Sequence, residues 1–142
     1  MPAHPAYVHF PIVFFSLATF FLFVHLLDGE HQRINRFSKK LRLGSYDFEA
    51  ISFLSLLLGF ITGFISILSG LKLVNGWNHV PVPHGFLGLA TELCYFVVLI
   101  MRWVFGTSVH VRPFKTFYYV LHILGLGLLI WTGYEGGELH YK

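Results

Sequence analysis

Long apolar stretches alternate with short polar ones along this chain. Four stretches, at residues 8–27, 48–74, 85–105 and 116–133, consist mostly of apolar side chains. Each has about twenty residues or more, and about twenty apolar residues in a helix cross the roughly 30 Å hydrocarbon layer of a bilayer. The pattern therefore predicts an all-α polytopic membrane protein, a four-transmembrane-helix up-and-down bundle that forms a single domain over residues 1–142.

The composition agrees with this interpretation. Hydrophobic residues make up 55% of the chain and charged residues only 12%, which leaves little polar sequence for a soluble domain. We do not expect the first run to be a cleaved signal peptide, because no Lys or Arg precedes it and no small-residue cleavage pattern follows. The single Cys94 excludes an intrachain disulfide framework and a CxxC motif.

Basic residues collect around two of the three connections between the runs. They are Arg33, Arg36, Lys39, Lys40 and Arg42 in the first connection, and Arg102, Arg112 and Lys115 around the third. Basic connections stay on the cytoplasmic side of a membrane. We therefore predict a prokaryotic cytoplasmic membrane location, with both termini outside and both basic connections inside. The bilayer is the expected partner of these charges, and no nucleic-acid partner is predicted.

Histidines and carboxylates collect at the ends of the spans that are expected to lie outside. They are His4, His9, His79, His84, Glu135, Glu138 and His140. Ionisable side chains close to the hydrocarbon are costly, and their presence indicates a role with ligands, protons or electrons.

Two of these histidines suggest a cofactor. His9 and His84 enter the first and third spans at similar depths, and two neutral imidazoles on facing helices are the ligand pair of a b-type haem. We therefore predict a bis-His haem b between spans one and three. The protein would be an electron carrier or a quinone-linked subunit of an oxidoreductase, rather than a stand-alone enzyme.

A second, inner haem held by His25 and His122 is a further expectation. It would need a different helix interface, because sixteen residues place His9 and His25 on nearly opposite faces of the first span.

Two other classes of function stay open. The outer-face histidines, with Glu135 or Glu138, are suitable ligands for zinc or copper, although the ligand spacings of known metal motifs are absent. Alternatively, the chain is a cofactor-free anchor or assembly subunit of a larger respiratory or photosynthetic complex. Transport has less support, because the chain shows no inverted repeat and no broken span.

The middle of the chain adds two features. Gly59, Gly63 and Gly70 share one face of the second span, which indicates either close helix packing or room for a flat cofactor. Small residues and aromatic rings on several faces also favour partner subunits or a homo-oligomer. Glu92 lies within the third span, and we expect it to be protonated, hydrogen-bonded to Thr91 or another polar group, or part of a proton path.

The two ends of the chain carry recognisable motifs. The opening HPxxVHFPI at residues 4–12, His84 at the start of span three, and the closing GYEGGEL at residues 133–139 resemble a family of predicted four-helix membrane proteins, domain of unknown function 2231. The resemblance covers nearly the whole chain and implies a four-helix bundle with its polar motifs on one face. Some relatives are joined to Rieske-type iron-sulfur domains, which implies electron-transfer partners.

The chain departs from the family pattern in two places. SGLK at residues 69–72 stands where an acidic residue is frequent, and the usual His-Gly after the closing motif is absent.

Overall fold

The chain folds into four long helices. A computed structural model describes residues 4–30, 45–73, 82–110 and 113–140. The helices are α1 (His4–Glu30), α2 (Ser45–Leu73), α3 (Val82–Phe105) and α4 (Phe114–His140), and the described residues contain no strand. Each helix contains a segment long and apolar enough to cross a membrane. The predicted all-α fold with four membrane-spanning helices is therefore confirmed.

The observed helices differ from the predicted spans mainly at their ends. Pro5 lies in the first turn of α1, whereas Pro11 lies inside that helix. A proline removes one backbone donor. Pro5 loses no helical hydrogen bond by this in the first turn, whereas Pro11, at the eighth position of α1, leaves the carbonyl of residue 7 without its helical hydrogen bond. α4 continues to His140, and the glycines of the closing motif lie within this helix.

A short turn connects α3 to α4. Gly106 has a φ of 55°, in the left-handed region that glycine adopts without a steric penalty. This residue ends α3, and a 3-10 turn then covers Gly106–His110. Val109 in this turn is completely buried. The anchored valine holds the turn, and with it His110, against the end of the bundle.

The bundle consists of two helix pairs. α1 packs closely on α2 and α3 on α4, while α2 contacts α3 and α1 contacts α4 less extensively. Across the diagonal, Phe15 of α1 stacks on Tyr95 of α3 with ring centroids 4.0 Å apart and planes 5° apart. The stacked rings fill the centre of the bundle.

The two glycines on α2 that face this centre make room for side chains. The Cβ of an alanine at position 59 would lie 2.5 Å from the Phe15 ring, and one at position 63 would overlap the Glu92 carboxyl. This face of α2 therefore packs against α1 and α3, as the close-packing interpretation of the glycines predicted. Large exposed apolar side chains occur on all four helices, which is typical of surfaces that face lipid.

Candidate functional site

His84 and His9, the predicted outer haem ligands, have different surroundings. The Nδ1 atom of His84 lies 3.2 Å from the carbonyl oxygen of Thr132. Because a carbonyl only accepts, Nδ1 carries the proton and donates it. The same imidazole ring packs on Gly136 of α4, whereas His9 is exposed on α1. His84 therefore faces the fourth helix.

The two histidines also lie at different levels of the bundle. The stack of Phe15 on Tyr95 aligns α1 with α3. His9 precedes Phe15 by six residues and His84 precedes Tyr95 by eleven. At about 1.5 Å of rise per residue, His84 lies about 7.5 Å nearer than His9 to the end of the bundle at which α1 and α3 begin. The structure does not bring these imidazoles together, and a haem on this pair stays a prediction.

The predicted inner ligands, His25 and His122, also have separate neighbours. The ring of His25 lies 5.0 Å from that of His110. His122 is completely buried on α4, and its Nδ1 lies 3.2 Å from the hydroxyl of Thr19 on α1. Its Nε2 is buried without a hydrogen-bond partner. The structure thus groups His25 with the end of the bundle and His122 with its centre.

The predicted zinc or copper site at the outer face lies partly outside the described residues. His79 and the side chains of His4 and His140 lie outside the described residues. Glu135 accepts a hydrogen bond of 3.2 Å from Trp131 Nε1, and Glu138 is exposed. Within the described residues, no three His, Cys, Asp or Glu side chains are placed to hold a metal ion. The zinc or copper site stays a prediction.

Sequence reasoning missed a cluster at the end of the bundle that the basic connections mark. Glu49 of α2 is buried and forms an ion pair with Arg102 of α3. The Nε2 of His110 lies 3.7 Å from the same carboxylate oxygen, and its Nδ1 lies 3.2 Å from the Tyr119 hydroxyl. The Arg102 guanidinium also lies over the Phe53 ring, 5.1 Å from its centroid. We call Glu49, Arg102, His110 and Tyr119 the inner-end cluster.

A sequence signal for this cluster existed. Arg102 was counted with the basic connection as a topology signal, but the structure places it in the last turn of α3. Glu49 follows Asp47 at the start of an apolar helix that runs in the opposite direction. An acid and a base at the same end of two adjacent antiparallel spans are within reach of each other. A buried charge needs such a partner, so the pair was predictable.

A second polar group occupies the centre of the bundle. The Thr19 hydroxyl lies 3.2 Å from the Tyr95 hydroxyl and 3.2 Å from His122 Nδ1. All three side chains are buried, and Gly125 of α4 makes room for the Tyr95 ring. We call Thr19, Tyr95 and His122 the central group.

Glu92 lies one helical turn above Tyr95 on α3. Its carboxyl packs on Gly63, and its Oε1 atom is buried without a hydrogen-bond partner. The predicted bond to Thr91 is not formed, because the Thr91 hydroxyl donates to the Leu87 carbonyl oxygen and also lies 3.2 Å from the Thr132 hydroxyl. Among the described residues, Glu92 therefore has no cation and no hydroxyl to balance this oxygen.

These groups occur at successive levels along the bundle. Three separations, measured as rise along the axis of α3, describe these levels. They are about 10 Å from Arg102 to Tyr95, about 4.5 Å from Tyr95 to Glu92, and about 12 Å from Glu92 to His84. Tyr118 bridges the two lower levels, with its ring centroid 5.7 Å from that of His110 and 4.9 Å from that of His122. We call this series, from the inner-end cluster to His84, the polar file.

Comparison with known protein families gives a match. A family model described as "Predicted membrane protein (DUF2231)" matches residues 1–142. No curated protein and no solved structure matches the chain.

Proposed function

The chain belongs to the DUF2231 family of predicted membrane proteins, and from that premise we propose that it transfers protons through the interior of its four-helix bundle. The observation that carries the proposal is Glu92, a buried carboxyl in the middle of a membrane-spanning helix, with one oxygen that has no partner. The rest of the polar file supplies groups that accept and donate protons on both sides of Glu92.

The position of Glu92 is costly for the fold. An unpaired polar atom in an apolar interior costs about 1–3 kcal/mol, and an isolated carboxylate costs more. A leucine at this position would avoid that penalty, so stability does not explain the acid. Carboxyl groups in membrane-spanning helices are by default functional, and proton relays are one of their known uses. A neutral acid that releases its proton and regains it meets this requirement.

The central group supplies the path from Glu92 toward the inner end. Hydroxyl groups donate and accept hydrogen bonds, so Thr19 is suited to relay between Tyr95 and His122. His122 then leads to His110 past the edge of the Tyr118 ring. In the proposal, single water molecules connect Glu92 to Tyr95, a role that buried waters commonly fill between polar groups.

The path toward the outer end uses α4. Thr91 and Thr132 lie 3.2 Å apart by their hydroxyl oxygens, and the Thr132 carbonyl accepts a hydrogen bond from His84. His84 is partly exposed, so it is suited to exchange protons with water on that side. In the proposal, waters connect Glu92 to the Thr132 hydroxyl and that hydroxyl to His84, because the Thr132 carbonyl accepts a hydrogen bond but has no proton to pass on.

Proton flux into vesicles tests the proposal. Purified protein is reconstituted into vesicles that hold a trapped pH-sensitive dye, and a potassium diffusion potential drives proton entry. We expect the wild-type protein to acidify the lumen and E92Q to reduce the rate to that of protein-free vesicles, because glutamine cannot release a proton. E138Q is the matched control, since Glu138 is exposed near the end of α4, and it should keep the wild-type rate. Wild-type flux no higher than background would overturn the proposal.

The orientation predicted from the basic connections belongs to the same proposal. We propose that the inner-end cluster lies on the cytoplasmic side. Cysteine variants S38C and N78C, made in a chain whose buried Cys94 is replaced by alanine, are labelled with an impermeant maleimide in intact cells. We expect reaction at position 78 alone. Reaction at position 38 alone would reverse the orientation.

Haem-linked electron transfer is the second candidate, and His122 is the observation that favours it. Its Nδ1 lies beside the Thr19 hydroxyl while Nε2 has no partner. In a haem-ligating histidine, one ring nitrogen forms a hydrogen bond to a neighbouring group and the other binds the iron. A haem would then carry electrons to or from a quinone, and the polar file would handle the accompanying protons.

Absorption spectra separate the haem candidates. Protein made with excess haem is measured oxidised and dithionite-reduced. A Soret band that H122A removes supports His122 as a haem ligand, whereas a band that H9A and H84A remove supports the outer pair. A spectrum without a Soret band would overturn both haem assignments. If flux is absent as well, the anchor or assembly function would be favoured.

A further inference from the structure

The inner-end cluster is built around one imidazole, that of His110. We infer that His110 is the port through which protons pass between the basic face and the interior of the bundle, with the ion pair of Glu49 and Arg102 as its fixed electrostatic partner. The inference rests on the proposed proton transfer and names the group that begins or ends it.

Exposure distinguishes His110 from the histidine that follows it in the polar file. The side chain of His110 is 15% exposed, whereas His122 is 0% exposed. His110 thus reaches the edge of the bundle, while His122 lies inside it. A proton that leaves the basic face meets His110 first.

Ionisable groups from all four helices surround His110. α1 contributes His25, with ring centroids 5.0 Å apart. α2 contributes Glu49, and α3 contributes Arg102 through that carboxylate. From α4, Tyr119 and Tyr118 complete the set. This convergence on a single side chain requires the 3-10 turn to fold back under the bundle, which Gly106 permits through its left-handed φ.

The chemistry of these neighbours leaves the imidazole as the mobile proton carrier. Glu49 Oε1 contacts both the Arg102 guanidinium and His110 Nε2. A guanidinium does not give up its proton in proteins, so Arg102 balances the carboxylate permanently. Imidazole accepts a proton on one nitrogen and releases one from the other. The Nδ1 atom of His110 lies within hydrogen-bond distance of the Tyr119 hydroxyl. Its Nε2 atom lies 3.7 Å from Glu49 Oε1 and has no hydrogen-bond partner among the described residues, so this nitrogen is the one left to take up a proton.

Chemical rescue tests the port. In the vesicle assay, H110A is expected to lose most of the wild-type flux, and free imidazole in the buffer is expected to restore it, because a soluble base replaces the missing side chain. T62V is the control, since the Thr62 hydroxyl bonds to carbonyl oxygens of its own helix and lies outside the polar file, and it should keep the wild-type rate with or without imidazole. Loss of flux in H110A that imidazole does not restore would indicate a structural role and overturn the port.

The same assay distinguishes failure of the port from failure of the proposed function. Wild-type flux at background removes both. Wild-type flux that E92Q abolishes and H110A leaves unchanged preserves proton transfer and removes only the port.

Discussion

Glu49 and Glu92 are both buried carboxyl groups, on adjacent helices of one small bundle, with opposite surroundings. Glu49 forms an ion pair with Arg102 and faces the imidazole of His110. Glu92 packs on the backbone of Gly63 and leaves one buried oxygen without a partner. The paired Glu49 carboxylate links two helices, whereas the unpaired acid Glu92 contributes no such link. The comparison separates a carboxylate that links α2 to α3 from a carboxyl that our proposal uses as a proton carrier.

The largest expected effect comes from breaking the pair. R102M leaves the Glu49 carboxylate buried without its cation, which costs about 3–5 kcal/mol in the free energy of unfolding. Thermal or denaturant unfolding of the purified protein in detergent measures the loss. E49L combined with R102M should recover most of it, because two apolar side chains leave no buried charge. A loss below about 1 kcal/mol for R102M would mean that water already screens the pair.

Two glycines on one face of α2 sharpen the comparison. G59A places a methyl group against Phe15, whose ring is held in a stack with Tyr95. Overpacking of this kind costs about 1–3 kcal/mol. G63A meets only the carboxyl of Glu92, the far end of a flexible side chain. The carboxyl moves aside, and alanine gains about 1 kcal/mol of helix propensity over glycine.

We therefore expect G63A to unfold close to the wild-type midpoint and yet to lose proton flux, whereas G59A should lose stability. The reverse ranking of stabilities would show that Glu92 is as tightly held as Phe15.

The central group should show a smaller effect. T19V keeps the shape of the side chain but removes the hydroxyl that Tyr95 and His122 share. Two weakened hydrogen bonds correspond to about 1–2 kcal/mol of unfolding free energy. T62V is the matched control, because the Thr62 hydroxyl bonds only to carbonyl oxygens of its own helix. Equal losses for the two variants would deny the central group any special role.

The smallest expected effect on stability is that of E92Q. Glutamine has the shape of the neutral acid, and no cation beside position 92 is left unbalanced, so the unfolding free energy should change by less than about 1 kcal/mol. E49Q, the same chemical change in the paired site, should cost several times more because the Arg102 charge loses its partner. A side-by-side unfolding measurement checks the contrast. Equal losses of unfolding free energy for E92Q and E49Q would show that the two carboxyl groups do not differ in this way.

Sequence reasoning succeeded where the property was local. The length of each apolar run predicted the helices to within a few residues at most ends. The exception is α4, whose predicted span ends at residue 133, whereas the helix continues through the glycines at residues 133, 136 and 137 to His140. In a membrane-spanning helix such glycines are tolerated because neighbouring helices pack against them. Gly136, which accommodates the His84 ring, is an example.

Pairing of side chains was harder to predict. His9 and His84 are both close to the start of a span, but their actual levels depend on how α1 and α3 are aligned by the stack of Phe15 and Tyr95. The direction of His84 toward α4 depends on helix rotation, which no local pattern reveals. The Glu49 and Arg102 pair was within reach of the sequence, because two buried charges at one end of adjacent spans have few alternatives to each other.

The sequence by itself determined that this is a four-helix membrane protein. The reason is that a bilayer sets the length and the apolar composition of each spanning helix, and both can be read from the order of the residues. Tertiary structure decided how the other polar groups meet: His110 beside the pair of Glu49 and Arg102, Thr19 with Tyr95 and His122, and the Glu92 carboxyl against Gly63. The physical reason is that lipid and bundle interior are equally apolar. The rotation of each helix therefore leaves little trace in hydropathy and is set only by contact with its neighbours.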